Sequence, residues 1–201
     1  QPCSSAASDV YKRQLQYNIN NLIMKIIIFA NGQRGLDVLK LIVKHYNVEA
    51  LITIERKKRI FLDYISFPKI FCIEDVNKKE SISFLKQFDS DIFLVAGYSQ
   101  IFKKEVLNIP KLGTINLHSG KLPSYRGGSP LNWQLINGEK KAVISAILMD
   151  VGIDTGNILS EKEFPIEEKD DIKTLHEKAN KLFPRLAEKA ILELEKGSKG
   201  K

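Results

Sequence analysis

Lys25-Ile26-Ile27-Ile28-Phe29-Ala30-Asn31-Gly32-Gln33-Arg34-Gly35 is the stretch on which the fold turns. An unbroken apolar centre this short, stopped by a glycine-containing turn, suits a strand covered on both faces, as strands of a parallel sheet are. After the turn, Leu36, Leu39, Leu41, Ile42 and Val43 give a helix from about Gly35 to His45 a wide apolar face able to cover that sheet. Val48 to Ile54 is a second continuous apolar run. Working outward, Lys69 to Ile73 reads as a third strand, Val76 to Phe88 as a helix, Ile92 to Ala96 as a fourth strand and Ile115 to Leu117 as a fifth. Strands alternating with amphipathic crossovers predict an α/β fold with a mostly parallel sheet flanked by helices. From Asp170 to Lys196, Ile172, Leu175, Ala179, Leu182, Leu186 and Leu194 fall largely at helical spacing. Asp170 or Asp171 can cap that helix, and Pro184 should kink or divide it.

With 201 residues and 43% hydrophobic content, the chain can fill one core but is short for two full domains. A charged fraction of 27% and an aromatic fraction of 8% are those of a globular protein, against wholesale disorder or a fibrous repeat. The formal charge of +7 favours anionic partners such as phosphates or nucleic acid, although lysines scattered over solvated helix faces give the same total. Cys3 and Cys72 have neither metal-ligand spacing nor a histidine cluster nearby, which suggests no zinc site and no disulfide framework and fits a reducing cytoplasm. No run approaches the roughly 20 apolar residues of a membrane span. Residues 1–23 are mostly polar and precede Met24, and Ser8 to Gln14 resembles translated adaptor sequence. The expected organisation is a non-native or disordered extension over 1–23, a catalytic domain over 24–196 and a flexible tail over 197–201.

Several segments could carry chemistry, and each has an ordinary structural reading beside it. Ala30 to Gly35, with Glu55 ending the second strand, approaches a dinucleotide fingerprint, but alanine replaces the first glycine. Gly32 and Gly35 are explained as well by a tight strand-to-helix turn. In Asn116-Leu117-His118, alternate strand residues point the Asn116 amide and the His118 imidazole to one side, at the carboxyl end of a strand. Asp150-Val151-Gly152-Ile153-Asp154-Thr155-Gly156 alone suggests a turn. Lys121 to Pro130 reads as a surface loop, followed by a helix that packs through Leu131, Trp133 and Ile136.

Taken together, Asn116-Leu117-His118, Leu122 to Pro130, Trp133, Asn137-Gly138-Glu139 and Met149 to Gly156 resemble the folate-dependent formyltransferase family in order, spacing and residue type. Weaker resemblance runs from Met24 to about Leu194. It implies a Rossmann-like mixed sheet with 10-formyltetrahydrofolate, the formyl donor, beside the carboxyl ends of the strands. The family's catalytic Asn, His and Asp fall on Asn116, His118 and Asp154. Its pterin-contacting loops correspond to Tyr98, Ser99, Gln100 and Ile101 and to Asp150, Val151, Gly152 and Ile153. Where the family commonly has Pro-Ser-Leu-Leu after its histidine, this chain has Ser119-Gly120-Lys121-Leu122, a change expected to loosen the loop or to recognise an anion through Lys121.

The residue types suit acyl transfer to an amine without a metal. A neutral amine attacks the formyl carbon, Asn116 and His118 donate to the developing oxyanion, and Asp154 orients His118 and accepts the amine's proton. For the acceptor, Lys121, Tyr125 and Arg126 offer cations and a ring suited to a nucleotide-linked aminosugar. Methionyl-tRNA ranks second, because beyond Arg56-Lys57-Lys58-Arg59 the basic residues are dispersed. A nicotinamide-dependent oxidoreductase built on the Ala30 to Gly35 turn is the alternative from another class.

Overall fold

The computed structural model describes residues 24–62 and 69–201; the expectation for 1–23 lies outside the described residues. The apolar runs become β1 Lys25–Ala30, β2 Asn47–Thr53, β3 Ile70–Cys72, β4 Ile92–Ala96 and β5 Gly113–His118, all mutually parallel. Two further strands, β6 Lys141–Leu148 and β7 Asn157–Pro165, add an antiparallel pair beside β5. The seven strands lie in the order β3-β2-β1-β4-β5-β6-β7. The chain steps outward from β1 to β2 and β3, then returns to the other side of β1 with β4. Ligands of open α/β sheets bind at such a reversal, outside the carboxyl ends of the strands.

Alternation along β1 divides the core into two layers. Ile26 and Ile28 face one layer with Leu94, Ile115 and Leu117, covered by α1 (Gln33–Ile42) and the long C-terminal helix, while Ile27 and Phe29 face the other with Ile52, Phe93 and Val95. Phe29 stands at the centre of the second layer, its ring 5.0 Å from those of both Phe93 and Phe102. The remaining short helices are α2 Arg59–Leu62, α3 Lys79–Lys86, α4 Lys104–Leu107 and α5 Pro130–Ile136. Gly35 lets α1 approach the sheet: a Cβ there would collide with the Ala30 side chain and come within 3.1 Å of the Ala96 carbonyl oxygen. Gly32 is extended and has open space. The turn thus serves helix-to-strand packing, as its simpler reading expects.

Two expectations are corrected, and one pair of strands is new. The hairpin of β6 and β7 has no counterpart in the sequence reading. Its outer strand, Asn157–Pro165, is an edge strand rich in exposed charge, which keeps an edge from pairing further but hides the strand in the sequence. The C-terminal helix, α6 Ile172–Glu195, is not divided at Pro184. An interior proline costs a helix about 3 kcal/mol, yet Phe183, Leu186, Ala187 and Ala190 pack on the sheet across that point, and burial outweighs local preference. In α5, Leu131 and Gln134 are buried, whereas Trp133 is 54% and Ile136 69% exposed. On a helix this short one stripe of positions i and i+3 reaches the core, and Trp133 and Ile136 lie off it.

Asp171 caps α6 in a reciprocal box with Thr174. Beyond the helix, the backbones of Lys201 and Ile158 exchange hydrogen bonds of 3.0 and 3.1 Å, and Asn157 Nδ2 donates to the Lys199 carbonyl. No described helix is long and apolar enough to cross a membrane.

Candidate active site

The strand β5 places Ile115 and Leu117 in the α6 layer and turns Asn116 and His118 to the opposite face. After β6 the chain forms a tight loop. Asp150 Oδ1 accepts from the Gly152 N–H and the Thr155 hydroxyl, so this carboxylate serves the loop's shape. Gly156 has no room for a Cβ against the Leu148 carbonyl. Asp154 sits in the left-handed region at φ 50°, a conformation that asparagine and aspartate adopt more readily than other side chains.

This loop carries Asp154 to the end of β5. Its Oδ1 accepts from Asn116 Nδ2 at 3.3 Å, and its Oδ2 accepts from the Gly127 N–H at 2.9 Å and lies 3.4 Å from His118 Nδ1. His118 Nε2 is 2.6 Å from the Tyr125 carbonyl oxygen. A carbonyl can only accept, so Nε2 carries a hydrogen. A neutral ring would then turn the bare Nδ1 lone pair toward a carboxylate. A hydrogen on Nδ1 would remove that repulsion. Both side chains are largely withdrawn from water, at 6% and 13% exposure, which strengthens each of these contacts.

The Ser119-Gly120 departure does not loosen the loop. A Cβ on Gly120 would lie 2.5 Å from the Tyr125 carbonyl oxygen, 2.6 Å from His118 Nε2 and 2.9 Å from the Pro130 Cβ. Glycine lets the loop close onto the imidazole. The Gly120 carbonyl accepts from buried Ser145 Oγ at 2.8 Å, and the Ser119 carbonyl accepts from Gln134 Nε2 at 3.0 Å.

Two cavities meet at this cluster. One, of about 450 Å³, is lined by Tyr98, Ser99, Gln100, Ile101, Asp150, Gly152 and Ile153, with Val95, Phe102 and Met149 as apolar walls. The other, of about 410 Å³, is lined by Arg34, Gly97, His118, Ser119, Ser129 to Asn132 and His176. Tyr98, Ser99, Asn116, Gly127 and Asp154 line both. Seven of the eight residues expected around a pterin therefore share one cavity; Val151 stands outside it, 69% exposed.

Several of these side chains are already engaged. The Tyr98 hydroxyl donates to the Ile73 carbonyl, and burial pushes its pKa up. Gln100 bonds the Val76 N–H, the Glu74 carbonyl and the Tyr98 hydroxyl. Both residues thus offer a ligand chiefly backbone and ring edge. Ile101 and Ile153 are 68% and 60% exposed, an apolar rim that the fold itself leaves uncovered. A flat heteroaromatic ring suits this combination of apolar rim and backbone polar groups, so the residues present fit a folate.

Lys121, Tyr125 and Arg126, expected to bind the acceptor, line neither cavity. Lys121 is exposed. The Tyr125 hydroxyl donates to Glu139 at 2.6 Å, which pushes its pKa up, and accepts from Asn137. Arg126 Nε donates to the Asp154 carbonyl at 3.0 Å. The loop shapes the site through its backbone and through this arginine rather than through a projecting cationic face. Sequence reasoning missed Arg34, Ser119 and His176. Arg34 was absorbed into the glycine turn and His176 into a helix read for its apolar face. Burial, and after it the charge of Arg34, holds the His176 pKa below its ordinary value. Among the described residues no group of three or more His, Cys, Asp or Glu side chains could hold a metal ion.

Comparison with known proteins bears on the family and the fold. A family profile described as formyl transferase matches residues 16–191. Methionyl-tRNA formyltransferase from Caldanaerobacter subterraneus subsp. tengcongensis is 35% identical over 187 residues, covering 87% of this chain and 60% of that protein. The corresponding protein of Clostridium tetani is 36% identical over 170 residues, and the chain spans 54% of its length. The chain thus covers little more than half of these relatives. Among solved structures, phosphoribosylglycinamide formyltransferase from Bacillus halodurans superposes with a TM-score of 0.72 at 21% identity, covering 87% of this chain and 96% of that one. At that identity the likeness speaks for the fold.

Proposed function

The chain belongs to the formyl transferase family, and from that premise we propose that it transfers a formyl group from 10-formyltetrahydrofolate to a primary amine, with methionyl-tRNA as the acceptor. One observation carries the chemical part of this reading: Asn116 and Asp154 stand at the junction of two cavities, with His118 locked between Asp154 and the Tyr125 carbonyl. A donor in the cavity rimmed by Ile101 and Ile153 would supply the formyl carbon. An acceptor amine would approach through the cavity that His118 and Arg34 line.

The roles follow from the hydrogen bonds. Asn116 Nδ2 is a fixed donor beside the junction, able to stabilise negative charge on a carbonyl oxygen that is becoming tetrahedral. His118, beside Asp154, supports the same charge, and its bond to the Tyr125 carbonyl fixes the ring plane. Asp154 accepts the hydrogen shed by the attacking amine and, through His118 or water, returns it to the folate nitrogen as the bond to the formyl carbon breaks. The Gly127 N–H keeps the carboxylate from swinging away, and Arg126 holds the Asp154 backbone through its carbonyl.

The acceptor reading departs from the one the sequence suggested. Relatives named methionyl-tRNA formyltransferase align with most of this chain at 35% and 36% identity, which supports charged tRNA ahead of an aminosugar nucleotide. The run Arg56 to Arg59 directly follows β2, on the carboxyl edge where the site lies, with Arg56 and Arg59 exposed. The aminosugar nucleotide stays as the second reading because the cationic residues beyond that run are dispersed.

Formylation of charged initiator tRNA and of an aminosugar nucleotide, each followed across a salt titration, separates the two. Methionyl-tRNA formylation that falls steeply with salt and with Arg56→Glu/Arg59→Glu is the expected result. Transfer to the sugar nucleotide with slight salt dependence, and none to tRNA, would reverse the choice. Transfer to neither amine, by a chain that binds the folate, would remove the catalytic reading.

A further inference from the structure

We propose that Arg34 is a positioning residue for His118, bracing the backbone on both sides of that imidazole where the sheet has ceased to hold it. The inference rests on the formyl-transfer reading for its kinetic consequence, but its structural content stands on the hydrogen bonds.

The pairing of β4 with β5 runs from Ile92 opposite Gly113 to Val95 opposite Asn116 and stops there. On its other edge, β5 stays paired with β6 as far as His118 opposite Ser145. The last residues of β5, including the one that carries the imidazole, are thus supported by a strand on one side. Arg34 occupies the open side. One Nη donates to the Leu117 carbonyl at 3.3 Å and the other to Ser119 Oγ at 2.5 Å. A planar guanidinium that bonds residues 117 and 119 brackets residue 118.

The brace is itself held in place. The Arg34 guanidinium carbon lies 4.3 Å from the centre of the Phe183 ring on α6, a cation–π contact inside the protein. Burial lowers the Arg34 pKa to about 10, which leaves the group charged at neutral pH. Its Nε is buried without a hydrogen-bond partner, and among the described residues no carboxylate reaches it as an ion pair. A half-buried cation on a cavity wall with no counter-charge carries a desolvation cost. An apolar side chain would pack on Phe183 without that cost. What arginine adds is a pair of N–H donors in a fixed fork, both directed at the segment that carries His118.

Loss of the fork frees residues 117–119 to shift, and the shift lengthens both His118 contacts together. Because the catalytic residues keep their identity, the effect falls on turnover rather than on affinity. Displacing a reacting group by about 1 Å can cost about a hundredfold in rate.

The test uses Arg34→Met, which keeps length and apolar packing on Phe183, Arg34→Lys, which keeps charge but loses the fork, and Ser119→Ala, which removes one acceptor. Two quantities are read: the split between kcat and KM for formyl transfer, and the ¹⁵N NMR signals of the His118 ring nitrogens in the folded chain. In Arg34→Met, kcat should fall about 10- to 100-fold with both KM values within about twofold, and the His118 signals should shift or broaden. Arg34→Lys should recover part of the loss. Ser119→Ala should cost a few-fold alone and nothing further on top of Arg34→Met. Wild-type kcat and unchanged His118 signals in a folded Arg34→Met protein would overturn the proposal. A loss confined to the acceptor KM would also overturn it, since that pattern marks direct ligand contact. Should Arg34→Met fail to fold, unchanged kcat and signals in both Arg34→Lys and Ser119→Ala would do the same. If the wild-type chain formylates no amine, the functional reading fails by itself, while the His118 signals still decide whether Arg34 braces the ring.

Discussion

The Nδ1 atom of His118 lies 3.4 Å from Oδ2 of Asp154, although 36 positions of chain separate the two residues and a turn in the left-handed region is needed to bring them together. The contact joins the last residue of a parallel strand to a loop that leaves an antiparallel one. Neither element can move without changing the distance between the two side chains.

Asp154→Asn tests that relationship most cleanly, because asparagine tolerates the same positive φ and keeps the same shape. Formyl transfer should fall about a hundredfold or more with little change in Tm, and Asn116→Ala and His118→Ala should fall similarly. Full activity in any of these variants at unchanged stability would take that residue out of the site.

Gly120→Ala should damage the site from beside it. The added methyl would meet the Tyr125 carbonyl oxygen and His118 Nε2 at 2.5 and 2.6 Å, so the hydrogen bond between them must open. Overpacking of this kind costs about 1–3 kcal/mol of stability. Turnover should drop at least about tenfold if the His118 ring plane matters to catalysis. Urea unfolding and a transfer assay on one sample check both halves, and unchanged values for both would show that the loop relaxes freely.

Ile153→Ser and Ile101→Ser address the donor cavity. Both side chains are largely exposed, so stability should hardly change. Covering an isoleucine is worth about 1.5–3 kcal/mol, and the KM for 10-formyltetrahydrofolate should rise about tenfold or more, with kcat nearly unaffected. Unchanged donor KM in both variants would place the folate elsewhere.

His176 gives a pH dependence. Burial and the neighbouring Arg34 charge lower its pKa in the folded state, so the unfolded chain binds the proton more readily. Above about pH 6.5 the imidazole is neutral in both states and imposes no penalty. As pH falls through that value toward the lowered one, the unfolded state gains the proton first and stability declines. Urea midpoints at about pH 7.5 and pH 5.5 should therefore differ more in the wild-type protein than in His176→Gln. An equal drop in both would assign the acid sensitivity to other groups.

Much of this was legible in the chain itself, for identifiable reasons. Lys25 to Ala30 and Ile92 to Ala96 are apolar on both faces, so their composition alone marked them as interior strands, with bounds that the structure reproduces. Asn116 and His118 share a face because strand periodicity is two. The edge strand Asn157–Pro165 was not legible, since its charges suit solvent and its identity depends on pairing with β6. The surroundings of Lys121 and Tyr125 were not legible for a related reason: their charge and ring advertise recognition, but Lys121 lies outside the two cavities and the Tyr125 hydroxyl is taken by Glu139 and Asn137.

By itself, then, the sequence determined the α/β class, the positions of the first five strands and the residue types able to stabilise an oxyanion, because short-range periodicity and local chemistry require no distant partner. The tertiary structure alone decided which groups converge. Arg34 reaches residues 117 and 119 across more than eighty positions, and Asp154 meets both Asn116 and His118 across a left-handed turn. Such contacts are set by where the sheet ends and the loops close, and no periodicity along the chain encodes them.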